Sequence, residues 1–332
     1  MALKRPSVCQ FELTFGCFLH CRHCYSDCFN RTSFLKKELK ASQVKLIFDK
    51  LQDLGVIWLC LTGGDPLFRN DFPELYTYAR KKGFIITIFT SGYSLNDKLV
   101  SCLKANPPFG IELTLNAVSQ GLYERISRVK GSFAKVMHGI KLLRDANLPF
   151  KIKTHVTTDN FHHLNRIKMY LRKLGLKFYP SFILHPQING NSAPCNLRIS
   201  PNRVLDLIET NSKAPAEKKE CAQQPVLGNS LYPCVITSGD GFYIDPYGNM
   251  FLCKLIRSPK LNLLNVSPRN GLIRLLSKVR SEFFESSSKC RSCKLKVACV
   301  WCPGKAMLET GNPEAPIDYY CRLAKITTEY AN

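Results

Sequence analysis

The sequence lacks a long apolar segment. No apolar run reaches the roughly 18 residues that a membrane-spanning helix requires, although 45% of the 332 residues are hydrophobic. The first residues, Met1 to Pro6, also lack the apolar core of a signal peptide. No internal repeat, low-complexity tract or RNA-binding signature is evident. These absences predict a cytoplasmic protein with no membrane partner, for which nucleic acid is not an expected ligand.

Acidic residues are scarce. The chain has 25 Asp and Glu residues against 47 Lys and Arg residues, which gives a formal net charge of +22. A field of this sign attracts an acidic partner, such as an anionic peptide or a nucleotide. The alternative is that a lysine-rich surface only keeps the chain soluble, since basic runs such as Lys36-Lys37 and Lys81-Lys82 are short and scattered.

Cysteine, by contrast, is abundant. The chain has 16 cysteines, most of them in a group near the N-terminus and a group in the C-terminal third. In a reducing compartment, clustered cysteines indicate metal or redox chemistry rather than disulfides. Some lie outside this pattern: Cys60 and Cys102 have apolar surroundings typical of small core residues, and Cys28 is expected to be a bystander.

The N-terminal group is a C-x3-C-x2-C run formed by Cys17, Cys21 and Cys24. It follows an apolar predicted strand at residues 8–15, and barrels of alternating strands and helices place their chemistry at such strand ends. A cubic iron–sulfur cluster takes four ligands, so three cysteines would leave one iron open to a small molecule. Thiolates at short spacing also suit zinc, and this alternative stays open on the spacing alone.

Apolar strand-like and helix-like segments alternate over the first 184 residues. Six such units in series predict an α/β fold with a parallel sheet and right-handed crossovers. Six units are too few for a closed eight-fold barrel, so we predict a partial (β/α)6 TIM-like barrel. The predicted strands span residues 8–15, 57–61, 84–89, 111–115, 150–156 and 176–184, and the predicted helices span 42–54, 72–82, 95–105, 132–146 and 161–174.

A second motif, Thr62-Gly63-Gly64-Asp65-Pro66, follows the second predicted strand. Paired glycines allow the backbone to approach a ligand closely, and a neighbouring carboxylate can accept hydrogen bonds from an ammonium group. The alternative is an ordinary turn from strand to helix, for which Gly-Gly-Asp-Pro is suitable.

Together these motifs resemble the radical S-adenosylmethionine (SAM) family over residues 8–184. The resemblance implies that Cys17, Cys21 and Cys24 hold a catalytic 4Fe–4S cluster and that the Gly-Gly-Asp turn, with Asp in place of the family's Glu, binds SAM. It also implies roles near SAM for residues at the ends of the next elements, although Ser91 replaces the family's Asn. The implied SAM-binding residues are Tyr25, Gly63, Gly64, Asp65, Ser91, Thr114, Asn116 and Arg128.

Seven cysteines form an ordered C-terminal array, which resembles the SPASM extension of radical SAM enzymes. Only two residues separate its last pair, where the family usually has three. A zinc ribbon is the physical alternative, but it would leave three of the seven without a role. The resemblance implies one auxiliary 4Fe–4S cluster on Cys290, Cys293, Cys299 and Cys321, and a second on Cys234, Cys253 and Cys302. The fourth ligand of the second cluster stays open between Cys221 and a substrate group.

We therefore predict three regions. Residues 1–190 form the radical SAM partial barrel, residues 191–225 form a linker with a short helix at 201–209, and residues 226–332 form the SPASM domain with one or two auxiliary clusters. The resemblance implies an oxidoreductase or maturase that cleaves SAM reductively and uses the 5′-deoxyadenosyl radical to abstract hydrogen from a peptide or protein.

Other interpretations remain. A radical SAM enzyme could act instead on a small molecule, such as a tetrapyrrole precursor or a sugar. A binding protein without catalytic activity could hold zinc or iron–sulfur clusters. For the enzyme, we expect an electron donor such as flavodoxin or ferredoxin. We also expect a separate carrier protein for leader recognition, because no spare N-terminal domain is evident.

Overall fold

The computed structural model describes residues 6–211, 229–232, 234, 238–296 and 298–331. The strands are β1 (Val8–Thr14), β2 (Trp58–Gly63), β3 (Ile85–Thr90), β4 (Gly110–Thr114), β5 (Phe150–His155), β6 (Phe178–Ser181), β7 (Gly241–Ile244), β8 (Asn249–Phe251) and β9 (Leu261–Asn262). The helices are α1 (Thr32–Leu35), α2 (Ala41–Leu54), α3 (Phe72–Lys81), α4 (Asp97–Ala105), α5 (Gln120–Ser127), α6 (Ser132–Asp145), α7 (Leu164–Lys173), α8 (Pro201–Asn211), α9 (Pro268–Arg280), α10 (Pro303–Thr310) and α11 (Asp318–Ala331).

The first six strands form a parallel sheet in the order in which they occur along the chain. Helices α2 to α7 occupy the connections between successive strands, as right-handed crossovers require. The predicted α/β class with six βα units is therefore confirmed. All the carboxyl ends of these strands meet at one edge, where the loops that carry the predicted site residues begin.

Side-chain alternation explains why the sheet has two different faces. In β3, Ile86 and Ile88 are fully buried and face the helices, while the residues between them face the other way. Helix α2 buries a stripe with helical spacing that includes Phe48, and the Phe48 ring packs edge-on against Phe11 of β1 at 5.9 Å. Gly55 ends this helix with a left-handed φ of 95°.

The sheet continues into the C-terminal third of the chain. Strand β7 pairs with β1 in parallel, from Val8 opposite Gly241 to Phe11 opposite Ile244. Strands β8 and β9 then add in antiparallel orientation, which gives a nine-stranded sheet. The predicted boundaries at residues 190 and 226 stay a prediction, but strand pairing ties the C-terminal region directly to the first strand.

Several elements were not predicted, namely α1, α5, β9 and helices α9 to α11, whereas the glycines at 239, 241 and 248 had indicated the hairpin of β7 and β8. The sixth strand is shorter than expected, because β6 spans only Phe178–Ser181. Residues 212–225 of the predicted linker, which include Cys221, lie outside the described residues. Among the residues that the structure describes, no helix is both long enough and apolar enough to span a bilayer.

Candidate active site

The three N-terminal cysteines lie in the loop that follows β1, at the carboxyl edge of the parallel strands. The loop turns tightly, since the Cys24 amide donates to the Cys21 carbonyl at 2.9 Å, and the Leu19 amide donates to Cys17 Sγ at 3.4 Å. All three cysteines are partly exposed. The structure therefore brings the three predicted ligands into one loop beside the edge where the strands end.

The electrostatics of these thiols fit a bound metal cluster. Burial raises the pKa of Cys17, Cys21 and Cys24, and Cys24 raises the pKa of Cys21 further. Thiolates held this close repel one another, and a bound cation offsets that repulsion and keeps ligating thiols deprotonated. Among the described residues, no three His, Cys, Asp or Glu side chains converge on a single metal ion. A cluster is held by thiolates on separate iron atoms and does not require such convergence.

Two sets of hydrogen bonds fix the cysteine loop. The Asn30 side chain accepts from the Cys17 amide at 3.2 Å and donates to the Cys17 carbonyl at 2.8 Å. Further along, the amides of His20 and Arg22 each donate at 3.0 Å to the last carbonyls of α5. Asn30 was not predicted as a site residue, because an isolated Asn after a cysteine motif carries no sequence signal of its own.

The paired glycines dock the end of β2 against the backbone that leads into the cysteine loop. A Cβ at Gly63 would lie 2.0 Å from the Thr14 carbonyl oxygen, and one at Gly64 would lie 2.4 Å from that of Phe15. The Gly64 amide donates to the Thr14 carbonyl at 2.7 Å. The close approach that these glycines allow is therefore to the protein's own loop, and their predicted contact with SAM stays a prediction.

Asp65 is buried and links the ends of β2 and β3. Its carboxylate accepts hydrogen bonds from Thr90 Oγ1 at 2.8 Å, from the Ser91 amide at 2.9 Å and from Ser91 Oγ at 2.6 Å. The Leu67 amide adds a further bond at 3.1 Å. Burial raises the pKa of Asp65, and these hydrogen bonds work against the shift. The two predicted residues Asp65 and Ser91 are thus brought together, with Asp65 holding Ser91 in place.

Asn116 connects the cysteine loop to β5. This side chain is buried, its Oδ1 accepts from the His155 amide at 2.8 Å, and its Nδ2 lies 3.5 Å from His23 Nε2. Thr114 ends β4 opposite Lys153 of β5. Both predicted residues therefore lie at the carboxyl edge, close to the loop.

Arg128 is exposed and closes α5 with a left-handed φ of 59°. Its charge acts on the cysteine loop: it lowers the pKa of Cys21, against the larger effect of burial. Arg128 thus acts on the loop, and its role near SAM stays a prediction.

Tyr25 belongs to a buried polar group that sequence reasoning missed. Its hydroxyl donates to Glu12 at 3.1 Å, and the same carboxylate pairs with Arg257 at 2.8 Å. The Lys254 ammonium lies 5.3 Å from the centre of the Tyr25 ring, and the His185 ring lies 5.6 Å away. Glu12 could have been recognised in the sequence, because it is a charged residue within the apolar strand β1. Arg257 and Lys254 carry no such signal, since only the fold brings them close to Glu12.

We call the side of the sheet that faces away from the helices the inner face, defined by Glu12, Glu112, Lys151, Lys153 and His155. Its polar character follows from the alternation in β4 and β5. Lys151 and Lys153 both form ion pairs with Glu112, and the Lys151 ammonium lies 2.6 Å from the Glu112 carboxylate. The inner face is thus lined with charged groups next to the carboxyl edge, which suits a polar substrate.

The C-terminal cysteines fall into two neighbourhoods. Burial raises the pKa of Cys290 to about 11, with added repulsion from Cys321, Cys299 and Cys293. These four therefore lie close enough to act on one another.

The second neighbourhood holds Cys234, Cys253 and Cys302. After burial, the largest effect that raises the pKa of Cys253 comes from Cys302, and both Cys234 and Cys253 act on Tyr232. The two predicted ligand sets and the metal that they would bind stay predictions. Cys302 directly precedes α10 and Cys321 lies in α11, so the array depends on helices that the sequence pattern did not predict.

The chain is similar to several known proteins. Residues 11–169 match the Radical SAM superfamily. The chain is 25% identical to the AdoMet-dependent heme synthase of Methanosarcina barkeri over 92% of this chain and 94% of that protein. It is also 25% identical to the PqqA peptide cyclase of Gluconobacter oxydans over 98% of this chain and 93% of that protein.

Among solved structures, SuiB of Streptococcus suis bound to its precursor peptide SuiA has the same fold. The TM-score is 0.72 at 17% identity, over 96% of this chain and 76% of that one. Residues 11–169 therefore form a radical SAM domain, and the C-terminal region of the chain is rich in cysteine. The cofactors of this family are SAM and a 4Fe–4S cluster.

Proposed function

We propose that this protein is a radical SAM maturase that modifies a peptide or protein, with Cys17, Cys21 and Cys24 as the ligands of its catalytic cluster. The observation that carries the proposal is the three-cysteine loop, docked through Gly63 and Gly64 at the carboxyl edge of the sheet. When bound, the cluster and SAM supply reductive cleavage of SAM and a 5′-deoxyadenosyl radical that abstracts hydrogen from the substrate.

In this proposal the chain's own residues position and enclose the reacting groups. Asn30 and the end of α5 hold the cysteine loop. Asp65 orients Ser91, whose hydroxyl group lies at the end of β3. A site on rigid strand ends keeps the reacting groups in productive geometry, which is worth several kcal/mol of barrier.

The peptide substrate is supported by relatives that cover nearly the whole chain. The Gluconobacter oxydans protein is named a PqqA peptide cyclase, and the basic net charge of +22 suits an acidic peptide. We further propose that such a peptide reaches the site with a separate carrier, and that flavodoxin or ferredoxin donates the electron.

A small-molecule substrate is the second candidate. It is favoured by the match to the heme synthase of Methanosarcina barkeri, which extends over 94% of that protein. The charged inner face beside Tyr25 is equally suited to a polar small molecule and to a peptide side chain.

We also propose that the C-terminal array holds two auxiliary 4Fe–4S clusters. One would use Cys290, Cys293, Cys299 and Cys321, and the other would use Cys234, Cys253 and Cys302. Support comes from the two neighbourhoods in which these cysteines act on one another. Zinc in place of iron would contradict this assignment.

The test is formation of 5′-deoxyadenosine from SAM. The protein is reconstituted anaerobically with iron and sulfide and assayed with a strong reductant, as wild type, as Cys21→Ala and as the matched control Cys102→Ala. Cys102 lies on α4 beside Thr77, so its loss leaves the loop intact. We expect product from the wild type and the control and none from Cys21→Ala. An iron-loaded wild type that forms no product, alone or with candidate peptides, would refute the proposal.

A further inference from the structure

Lys254 lies where the C-terminal region meets the inner face. It follows β8 and holds its ammonium 5.3 Å from the centre of the Tyr25 ring. Within the described part of the chain, this ammonium makes no ion pair and no hydrogen bond. Glu12, the carboxylate whose charge acts on Lys254, already accepts from Arg257 at 2.8 and 3.0 Å and from Tyr25 at 3.1 Å. No carboxylate of the described residues thus pairs with Lys254. Burial lowers the pKa of Lys254, while the neighbouring Cys253 and Glu12 favour its charged form.

The charged residues around Lys254 also include more cations than carboxylates. Lys151 and Lys153 share the single carboxylate of Glu112. Together with Lys254 and Arg257, these lysines make a set of four cations against two carboxylates, Glu12 and Glu112. Like charges held together on a partly enclosed face repel one another, and an incoming anion relieves that repulsion.

His155 completes the group with an unused polar atom. Its Nδ1 is buried and has no hydrogen-bond partner among the described residues. Burial, together with the charges of Lys254 and Lys153, lowers the pKa of His155 to about 4. The ring is therefore neutral at pH 7 and can donate a hydrogen bond from one nitrogen. A buried polar atom without a partner is costly, and a ligand that supplies an acceptor removes the cost.

We propose that Lys254, with Lys153 and His155, binds a carboxylate group of the substrate on the inner face of the sheet. This inference rests on the proposed function and assigns the chemical class of its substrate. The carboxylate would lie beside Tyr25 and so hold the substrate near the SAM site. Acidic peptide side chains and polycarboxylate small molecules both carry carboxylates, so the experiment uses one probe of each kind.

The experiment measures binding to the reconstituted protein in the presence of SAM. One pair of probes is a porphyrin tetracarboxylate and its tetramethyl ester, and the other is a fluorescein-labelled ten-residue peptide with glutamates and the same peptide with glutamines. The variants are Lys254→Gln, Lys254→Arg and the exposed control Lys104→Gln on α4. Iron content and melting temperature verify that each variant is folded and loaded.

We expect at least one acid probe to bind the wild type on the order of tenfold more tightly than its neutral partner, as a charge-assisted hydrogen bond provides. Lys254→Gln should lose about that factor, Lys254→Arg should retain most of the affinity, and Lys104→Gln should match the wild type. Added salt should weaken binding of the acid probe alone.

The inference is overturned if neither acid probe binds, if neutral and acid probes bind equally, or if Lys254→Gln binds like Lys104→Gln. Formation of 5′-deoxyadenosine by the same wild-type preparation is measured in parallel. If SAM is cleaved but the charge-dependent binding is absent, the carboxylate site alone is wrong. If no SAM is cleaved, the proposed function fails, whatever the binding experiment gives.

Discussion

At the scale of single residues, the side chains around the cysteine loop are mostly occupied with one another. Asp65 is an example, because a carboxylate expected to face a ligand accepts hydrogen bonds from Thr90, Ser91 and Leu67. Any contribution of Asp65 to SAM binding would therefore depend partly on how it positions Ser91.

Asp65→Asn tests this arrangement. The amide keeps the size of the side chain but replaces one acceptor oxygen with an NH2 group. At either position this group faces a backbone amide, of Leu67 or of Ser91, that can only donate. We therefore expect a loss of about 2 kcal/mol in the free energy of unfolding. Chemical denaturation measures it, with the exposed Asp53→Asn on α2 as the matched control. Equal stability of the two variants would show that the hydrogen bonds to Asp65 make no net contribution to the free energy of unfolding.

Glu314 provides a pH-dependent prediction. Hydrogen bonds from the Ser286 hydroxyl and from the Glu285 amide hold the pKa of this carboxyl below its usual range. A carboxyl whose pKa is lower in the folded state stabilises the fold above its unfolded-state pKa, and this contribution is lost as the pH falls through the folded-state pKa. Glu314 therefore stabilises the protein at neutral pH and not in acid.

The corresponding variant is Glu314→Gln. We expect it to lower the free energy of unfolding by about 1–2 kcal/mol at pH 7, and the difference from wild type to shrink below about pH 4. Urea unfolding of the cluster-free protein across this pH range measures both effects. The control Glu329→Gln is exposed on α11 and should change little. A difference that stays constant with pH would contradict the assignment.

At the scale of elements, the turn after β2 sets the position of the cysteine loop. Gly63 has a φ of 145°, which side chains rarely adopt, and a Cβ there would collide with the Thr14 carbonyl. The end of β2 and the start of the loop therefore pack backbone against backbone, which no other residue at Gly63 permits.

Gly63→Ala should accordingly destabilise the protein by about 3 kcal/mol or more and reduce iron binding at the N-terminal cluster. Gly110→Ala is the matched control, because a Cβ at Gly110 of β4 meets no atom within 4 Å. Thermal unfolding and iron analysis of both variants measure the difference. Wild-type iron content in a folded Gly63→Ala protein would mean that the turn does not control the loop.

At the scale of the whole molecule, one continuous sheet joins the two cysteine-bearing regions. Strand β7 lies directly beside β1, and the segment after β8 delivers Arg257 to Glu12 and Lys254 to Tyr25. The C-terminal region thus supplies side chains to the site as well as its own cysteines, so the two regions act as one unit.

The iron content of the whole molecule gives the number of auxiliary clusters. Removal of a proposed ligand in Cys293→Ala should lower the iron content by about four atoms per chain relative to Cys102→Ala, since each proposed cluster holds four irons. Iron, sulfide and zinc analysis with Mössbauer spectroscopy after anaerobic reconstitution measures the loss. Unchanged iron together with lost zinc would favour the zinc-ribbon alternative.

The fold class and the cysteine motifs could be predicted from local sequence patterns. Apolar strands alternating with amphipathic helices leave few packings other than a parallel sheet with helical crossovers, and the short spacing of Cys17, Cys21 and Cys24 places them in one loop. Local patterns are visible in sequence because they depend on neighbours a few residues away.

Contacts between residues that are distant in the chain could not be predicted in this way, because they depend on the complete fold. Glu12 and Arg257 are 245 positions apart in the chain and pair at 2.8 Å, and Asn30 reaches back to Cys17 without any motif of its own. The pairing of β7 with β1 places Lys254 over Tyr25 for the same reason. These contacts depend on how the whole sheet closes, because a single polar residue in sequence carries no information about the partner that the fold brings to it.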